Sequence, residues 1–203
     1  MNFIKIRNIF LIFMACSFLG WIYEVLVGIF ETHVGYVNRG YLFGPYLPIY
    51  GFGGLMLIAL LTKVRDKKTY IGSFPLSFIS VFLITMFITT VIELFGSYFM
   101  EFLTGDWLWD YSNYFCNFEG RIALWSSVKF GIGGLIIVYI VEPLINLCIK
   151  KADKRAINVF SLILALIFLI DLSFRPFLGS NFLGKWYNKT LDLIYFDSKL
   201  ILF

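Results

Sequence analysis

Five apolar stretches follow one another along the chain: Ile9 to Phe30, Leu47 to Leu61, Phe74 to Met100, Ile122 to Ile149 and Ile157 to Phe174. A helix needs about 20 mostly apolar residues to cross the hydrocarbon core of a bilayer. The pattern therefore predicts an all-α fold, a polytopic transmembrane helix bundle of about five spans. The second stretch is the shortest and is extended backwards by the loop before it. The third is long enough to tilt or to protrude. Lys5 and Arg7 precede the first stretch in the manner of a signal peptide. That run is too long, carries Glu24 and lacks a small-residue exit, so it reads as an uncleaved span. Residues 1–155 then form a membrane domain of four spans, and 156–203 supply the fifth span and an outer tail. The tail's last stretch, Leu191 to Phe203, is too short to cross. It is expected in the outer interface, with Trp186 and Tyr187 near the headgroups.

Composition supports this reading. Of 203 residues, 60% are hydrophobic and only 15% are charged, and the mean hydropathy is +0.83. A soluble domain is about 45–50% apolar and about 25% charged, and a chain this small has too much surface to hide such an excess. A soluble enzyme and a nucleic-acid partner are excluded. The three cysteines make no disulfide framework or metal-ligand spacing, and with His33 as the lone histidine no metal or other cofactor is expected.

Charge sets the orientation. Lys5 and Arg7, then Lys63, Arg65, Lys67 and Lys68, then Lys150, Lys151, Lys154 and Arg155 place ten of the 17 basic residues on one side. The opposite loops hold Arg39 and Arg121, with Lys129 just inside the fourth span. The positive-inside rule then puts the N-terminus in the cytoplasm of a multi-pass protein in the plasma membrane, the inner membrane of a bacterium.

The chain also echoes itself. Tyr50-Gly51-Phe52-Gly53-Gly54-Leu55 returns as Phe130-Gly131-Ile132-Gly133-Gly134-Leu135, each after a loop with one arginine and a span with a glutamate, Glu24 or Glu93. The echo reads either as a parallel tandem repeat or as the general use of glycine where membrane helices touch.

Acids inside apolar runs carry the candidate chemistry, because an ionised group at the bilayer centre costs at least about 2.5–3.5 kcal/mol. Glu24, Glu93, Glu142 and Asp171 sit within such runs, and Glu101 ends the third. Glu93 and Glu101 are eight positions apart, about 80° around a helix and about 12 Å along it, so they can line one wall of a cavity. The simplest pairing sets these acids against Arg121 and Lys129, with Glu24 meeting Arg39 or Arg121. The expected substrate-binding set is Glu24, Arg39, Glu93, Glu101, Asn117 and Arg121, in a polar pocket open to the outer face. The competing structural reading is that buried ion pairs fix helix register. Glu142, before Pro143, reads as an interface marker, and Asp171 with Arg175 as an i, i+4 pair at a helix end. The stretch Asn38 to Gly51 holds two prolines and several glycines in apolar surroundings. Irregular backbone at membrane depth survives when it is buried in protein or lines a cavity, so a re-entrant segment is expected there. The second outer loop, Trp107 to Ile122, is either an interfacial anchor or a lid over the pocket.

Three groups of residues carry a resemblance. They are Gly20-Trp21-Ile22-Tyr23-Glu24; Asn38-Arg39-Gly40-Tyr41-Leu42-Phe43-Gly44-Pro45 with Pro48-Ile49-Tyr50-Gly51; and Trp109-Asp110-Tyr111-Ser112 with Asn117 and Gly120-Arg121-Ile122. Together they resemble the CmpB-like family of putative ABC transporter permeases, also described as type IV, over roughly Phe10 to Pro143. The sequence departs from that pattern at Leu47, where a cysteine is expected, and at Lys129, near an expected tryptophan. The resemblance implies a membrane transport component and a separate ATPase subunit, since the chain has no phosphate-binding loop of its own. A homo-oligomer is compatible with it. The residues leave two other readings open. One is a membrane-embedded enzyme on a lipid or lipid-linked substrate, with Glu24 or Glu93 as base and Arg121 as phosphate clamp. The other is a structural or regulatory membrane protein.

Overall fold

A computed structural model of the chain describes residues 3–31, 36, 38, 40, 42–67, 70–71, 74–105 and 109–175. Arg39 and the tail from 176, with Trp186, Tyr187 and Leu191 to Phe203, lie outside the described residues. Among the described residues five helices are long and apolar enough to span a membrane: α1 (Phe3–Phe30), α2 (Pro48–Arg65), α3 (Leu76–Thr104), α4 (Leu124–Lys151) and α5 (Lys154–Arg175). Helix α1 starts six residues before the apolar run, because Lys5 and Arg7 are good helix formers and extend it past the hydrocarbon. Two-residue strands β1 (Tyr70–Ile71) and β2 (Phe74–Pro75) join α2 to α3, and β3 (Asn117–Phe118) and β4 (Ile122–Ala123) form a hairpin before α4.

Many of the large apolar side chains face outward. Phe87, Phe95 and Phe102 on α3 and Phe160, Leu162 and Phe174 on α5 are exposed, where lipid tails are their solvent. Among the described residues the fully buried side chains are mostly small, Ser17, Val81, Thr85, Ser97 and Val138, with Leu61 the one large exception. Small residues let helix backbones approach, which is how helices associate when lipid is as apolar as leucine.

The most extensive contacts pair α1 with α2 and α3 with α4, and the two glycine motifs make them in the same way. A Cβ on Gly51 would run into Phe13 and Ser17, and one on Gly131 into Phe82. A Cβ on Gly54 would meet Cys16, and one on Gly134 would meet Thr85. The middle glycines, Gly53 and Gly133, have nothing within 4 Å of that position. Phe13, Cys16 and Glu24 are thus matched in α3 by Phe82, Thr85 and Glu93 at one constant interval.

Two irregularities have local causes. In α4, Ile137–Val141 forms a π turn, with Glu142 N–H donating to the Ile137 carbonyl. Pro143 has no N–H to offer the next carbonyl in that register, that of Val138. Arg65 of α2 donates to it instead, at 2.9 Å, and pairs with Glu142 at 2.7 Å. Glu142 therefore joins two helices rather than marking an interface alone.

The second irregularity precedes α2. Leu42, Tyr46 and Leu47 are buried although their backbone is neither helix nor strand. Leu42 and Tyr46 pack with Phe13 and Met14 of α1 and with Leu164 and Phe168 of α5. Buried amides in such a segment need acceptors. Asp171 of α5 provides them, taking Phe43 N–H at 3.0 Å and Gly44 N–H at 2.8 Å, along with the Tyr46 hydroxyl. Asp171 is not the helix-end partner of Arg175 that i, i+4 spacing suggests. Its carboxylate turns inward, and Arg175 stacks over the Phe43 ring at 4.9 Å. Burial and the Asp171 charge raise the Tyr46 hydroxyl above the usual phenol range, so it stays a donor.

Candidate functional site

The C-terminal halves of α1 and α3, the first turns of α2 and α4 and the loop before α4 gather three carboxylates, four tyrosines and a lysine. Glu24 faces α2 and accepts a hydrogen bond from the Tyr50 hydroxyl. Tyr50 is seated there because Gly20, one turn earlier in α1, leaves room for its ring. Glu93 faces α4 from the third helix. It accepts from the Tyr111 hydroxyl at 2.9 Å and from Ser126 Oγ at 3.2 Å. Ser126 Oγ is also 3.2 Å from the Tyr111 oxygen, so its single proton serves one acceptor at a time.

Glu31, just past the end of α1, closes the group. Lys129 Nζ lies 2.8 Å from both of its oxygens, and the Tyr114 hydroxyl donates to it at 3.0 Å. Burial works to raise the Glu31 carboxyl, but the hydrogen bonds from Lys129 and Tyr114 and the lysine charge outweigh it. The result lies below the ordinary carboxylate value. Tyr114 stacks edge-on against Tyr111 at 5.5 Å, linking the Glu31 and Glu93 groups. Tyr23 lies within electrostatic reach of Glu24, Glu31 and Glu93, and Tyr50 within that of Glu24 and Tyr111. Burial first, and then the charge of Glu93, lift the Tyr111 hydroxyl above its ordinary value against the opposing bond from Ser126. It remains a donor at any physiological pH.

The loop that delivers Tyr111 is held by its own polar groups. Asn117 Nδ2 donates to the Ser112 and Tyr114 carbonyls at 3.2 and 2.9 Å, and its Oδ1 accepts Gly120 N–H at 3.1 Å. Asp110 caps the Ser112 amide at 2.8 Å and its hydroxyl at 2.6 Å. Those two bonds keep the exposed Asp110 carboxyl below its ordinary value. Gly120 has φ +68, and a side chain there would collide with Ser112 and Asp110. Trp109 Nε1 closes the loop on the Arg121 carbonyl at 2.8 Å.

The sequence-derived residues divide between this cluster and a second one. Glu24 and Glu93 belong to the carboxylate–tyrosine group, and Asn117 shapes the loop over it without touching either acid. Arg121 goes elsewhere. It is 6% exposed, donates to Ser97 Oγ at 3.0 Å, pairs with Glu101, and lies 4.0 Å over the Tyr98 ring. Glu119 is 3.6 Å from its Nε. Of the two acids of α3 set against Arg121, Glu101 is the one it pairs with; among the described residues no bond joins Glu93 to Arg121. The reason is reach: Arg121 precedes α4 by a short strand and meets α3 near its end, two turns beyond Glu93. Arg39 lies outside the described residues.

Sequence reading missed Glu31, Tyr23, Tyr50, Tyr111, Tyr114 and Ser126 as a unit. Tyrosine and serine look unremarkable within apolar or aromatic runs. The signal available was Ser126-Ser127 at the opening of a span, where hydroxyls need a reason to be.

Neither a curated protein nor a solved structure matches the chain. A family model does: the one described as putative ABC-transporter type IV aligns with residues 11–175, through the fifth span and beyond the Phe10-to-Pro143 stretch over which the resemblance was read. The chain belongs to that family of membrane proteins.

Proposed function

We propose that the chain is the membrane component of a transporter and that the carboxylate–tyrosine cluster is its solute-recognition site. One observation carries this reading. Glu93 lies inside a membrane helix and is bonded by two neutral hydroxyls, Tyr111 from a loop and Ser126 from α4. Such donors are exchangeable. A solute offering an ammonium group or hydroxyls can replace them at little cost, because the carboxylate keeps its hydrogen bonds throughout. The tyrosine rings around it supply faces for a cation.

Displacing Tyr111 from Glu93 frees the segment before the β3–β4 hairpin from α3, while Arg121, on Ser97 and Glu101, keeps the hairpin itself on that helix. Solute binding and loop movement are then one event, which is the coupling a gated site needs. The fixed Glu101–Arg121 pair anchors the far end of the same loop. That engagement also favours transport over an enzymatic reading, which requires Arg121 free to clamp a phosphate. An ATPase subunit would be a separate chain, facing the Lys-rich end of the bundle.

The test is untargeted mass spectrometry of small molecules that copurify in mild detergent, comparing wild type with Glu93→Gln. A solute enriched on wild type and lost from a folded Glu93→Gln protein is the expected result. Identical small-molecule content in the two would remove the cluster from any recognition role.

A further inference from the structure

A cavity of about 400 Å³ opens at the opposite, Lys-rich end of the bundle, between the start of α1, the end of α4 and the start of α5. Its polar lining is basic or neutral: Arg7, Lys150 and Lys154 with Asn8, Asn146 and Asn158. We infer that this cavity is a binding site for a phosphate-bearing anionic headgroup, with the diglyceride part of a membrane lipid lying along α1 and α5.

Arg7 is the central observation. It is 9% exposed, yet its partners are amides, not acids. Its Nε and Nη2 donate to Asn8 Oδ1 at 3.0 and 2.7 Å, and its Nη1 donates to Asn158 Oδ1. Among the described residues no carboxylate is within ion-pair distance of it. A buried guanidinium held only by carbonyl oxygens keeps its full positive charge uncompensated, a costly arrangement unless an anion completes it. Accepting from Arg7 also fixes the two asparagines with their oxygens on the guanidinium. Their NH₂ groups are then left as further donors.

The neighbouring acids are engaged elsewhere. Glu142 takes Arg65 at 2.7 Å and Asn146 Nδ2 at 2.6 Å. Asp153 caps the first turn of α5, accepting from the Arg155 and Ala156 amides at 2.8 and 2.9 Å. The cavity is therefore a concentration of positive charge in the size range of small-molecule sites, about 300–1,000 Å³.

The setting selects a lipid over a free anion. Ile4, Ile149 and Ile157 line the same cavity, and a hydrated inorganic phosphate gains nothing from them. Ile6 and Ile9 on α1 and Phe160 and Ile163 on α5 are exposed, so the two helices that flank the cavity also present apolar side chains outward for acyl chains. Basic pockets between helices at the end of a bundle are where anionic headgroups reside.

Native mass spectrometry of the full-length protein tests this, with phosphatidylglycerol, phosphatidylcholine or inorganic phosphate added in turn. Wild type is expected to retain phosphatidylglycerol in preference to phosphatidylcholine. The Lys150→Gln/Lys154→Gln variant should lower that retention by roughly tenfold or more, at about fivefold per basic residue near an anionic headgroup. Both lysines are exposed, so this variant keeps its fold even if Arg7→Gln, which unties α1 from α5, does not. Displacement of the lipid by inorganic phosphate alone supports the same cavity with a soluble phosphate as its ligand. Equal retention of the two lipids by wild type, or unchanged retention by the lysine variant, overturns the assignment.

Discussion

Lys129 Nζ sits 2.8 Å from both carboxylate oxygens of Glu31, tying α4 to the chain leaving α1 across the mouth of the carboxylate–tyrosine cluster. Replacing either residue by a neutral isostere, Lys129→Met or Glu31→Gln, is expected to cost about 1.5–3 kcal/mol, the range for a hydrogen bond to a charged group. The double variant should cost less than the sum. Thermal unfolding in detergent measures both. The pH dependence has a definite sign. Glu31 is held below its ordinary value, so its contribution is complete above the ordinary carboxylate range and is lost as pH falls through the lowered value. Lys129→Met should flatten that acid limb.

Glu93 and Tyr111 should be coupled, and Glu93 and Arg121 should not. Tyr111→Phe and Glu93→Gln remove the same bond from its two ends, so their effects on stability should fail to add. Glu93→Ala with Arg121→Ala should add to within about 0.5 kcal/mol, as for sites with no shared partner. A strong interaction energy in the second cycle would place Arg121 in the cluster after all.

The five spans were legible because lipid enforces a simple rule: each crossing must be long and apolar. The echo around the glycines was legible for a similar reason, since close packing leaves few alternatives to a residue without a side chain. Partners were not. Glu24 and Glu93 announced themselves by their cost in an apolar run, but Tyr50, Tyr111 and Ser126, the groups that satisfy them, carry no charge to betray their place. Setting the acids of the third span against Arg121 and Lys129 left open which acid Arg121 takes. The geometry sends it to Glu101, two turns beyond Glu93, and gives the lysine to Glu31. Asp171 was misread for the same reason: the i, i+4 arginine is visible in sequence, whereas the amides of Phe43 and Gly44 are visible only once the loop is folded against α5.

Orientation rests on the ten bases of one side against Arg39 and Arg121 on the other. A reporter fused after Lys67 should read as cytoplasmic and one after Asp110 as external. The reverse pattern would place the carboxylate–tyrosine cluster on the cytoplasmic side and the basic cavity outside.

The glycine motifs make a paired prediction with an internal control. Gly53 and Gly133 face open space, so Gly53→Ala and Gly133→Ala should be neutral or stabilise by up to about 1 kcal/mol through helix propensity. Gly54→Ala would put its Cβ 2.8 Å from the Cys16 Cβ, and Gly134→Ala would drive its own into Thr85. These should cost about 1–3 kcal/mol as overpacking. Equal behaviour of all four variants in thermal unfolding would mean that the motifs are not helix contacts.

Asp171 should be among the most sensitive positions in the chain. It is 9% exposed and accepts three hydrogen bonds, two of them from backbone amides in a segment without regular structure. Asp171→Ala leaves those donors buried and unpaired at about 1–3 kcal/mol each, enough to release the segment from α5. Asp171→Asn retains one carbonyl oxygen and loses the charge, so it should fall between alanine and wild type. Alkylation of a cysteine introduced by Phe43→Cys reports the release directly. The thiol should be protected when Asp171 is intact, slowly labelled when Asp171→Asn is added, and rapidly labelled when Asp171→Ala is added. Protection that survives Asp171→Ala would show that Leu42 and Tyr46, packed against Phe13 and Phe168, hold the segment without it.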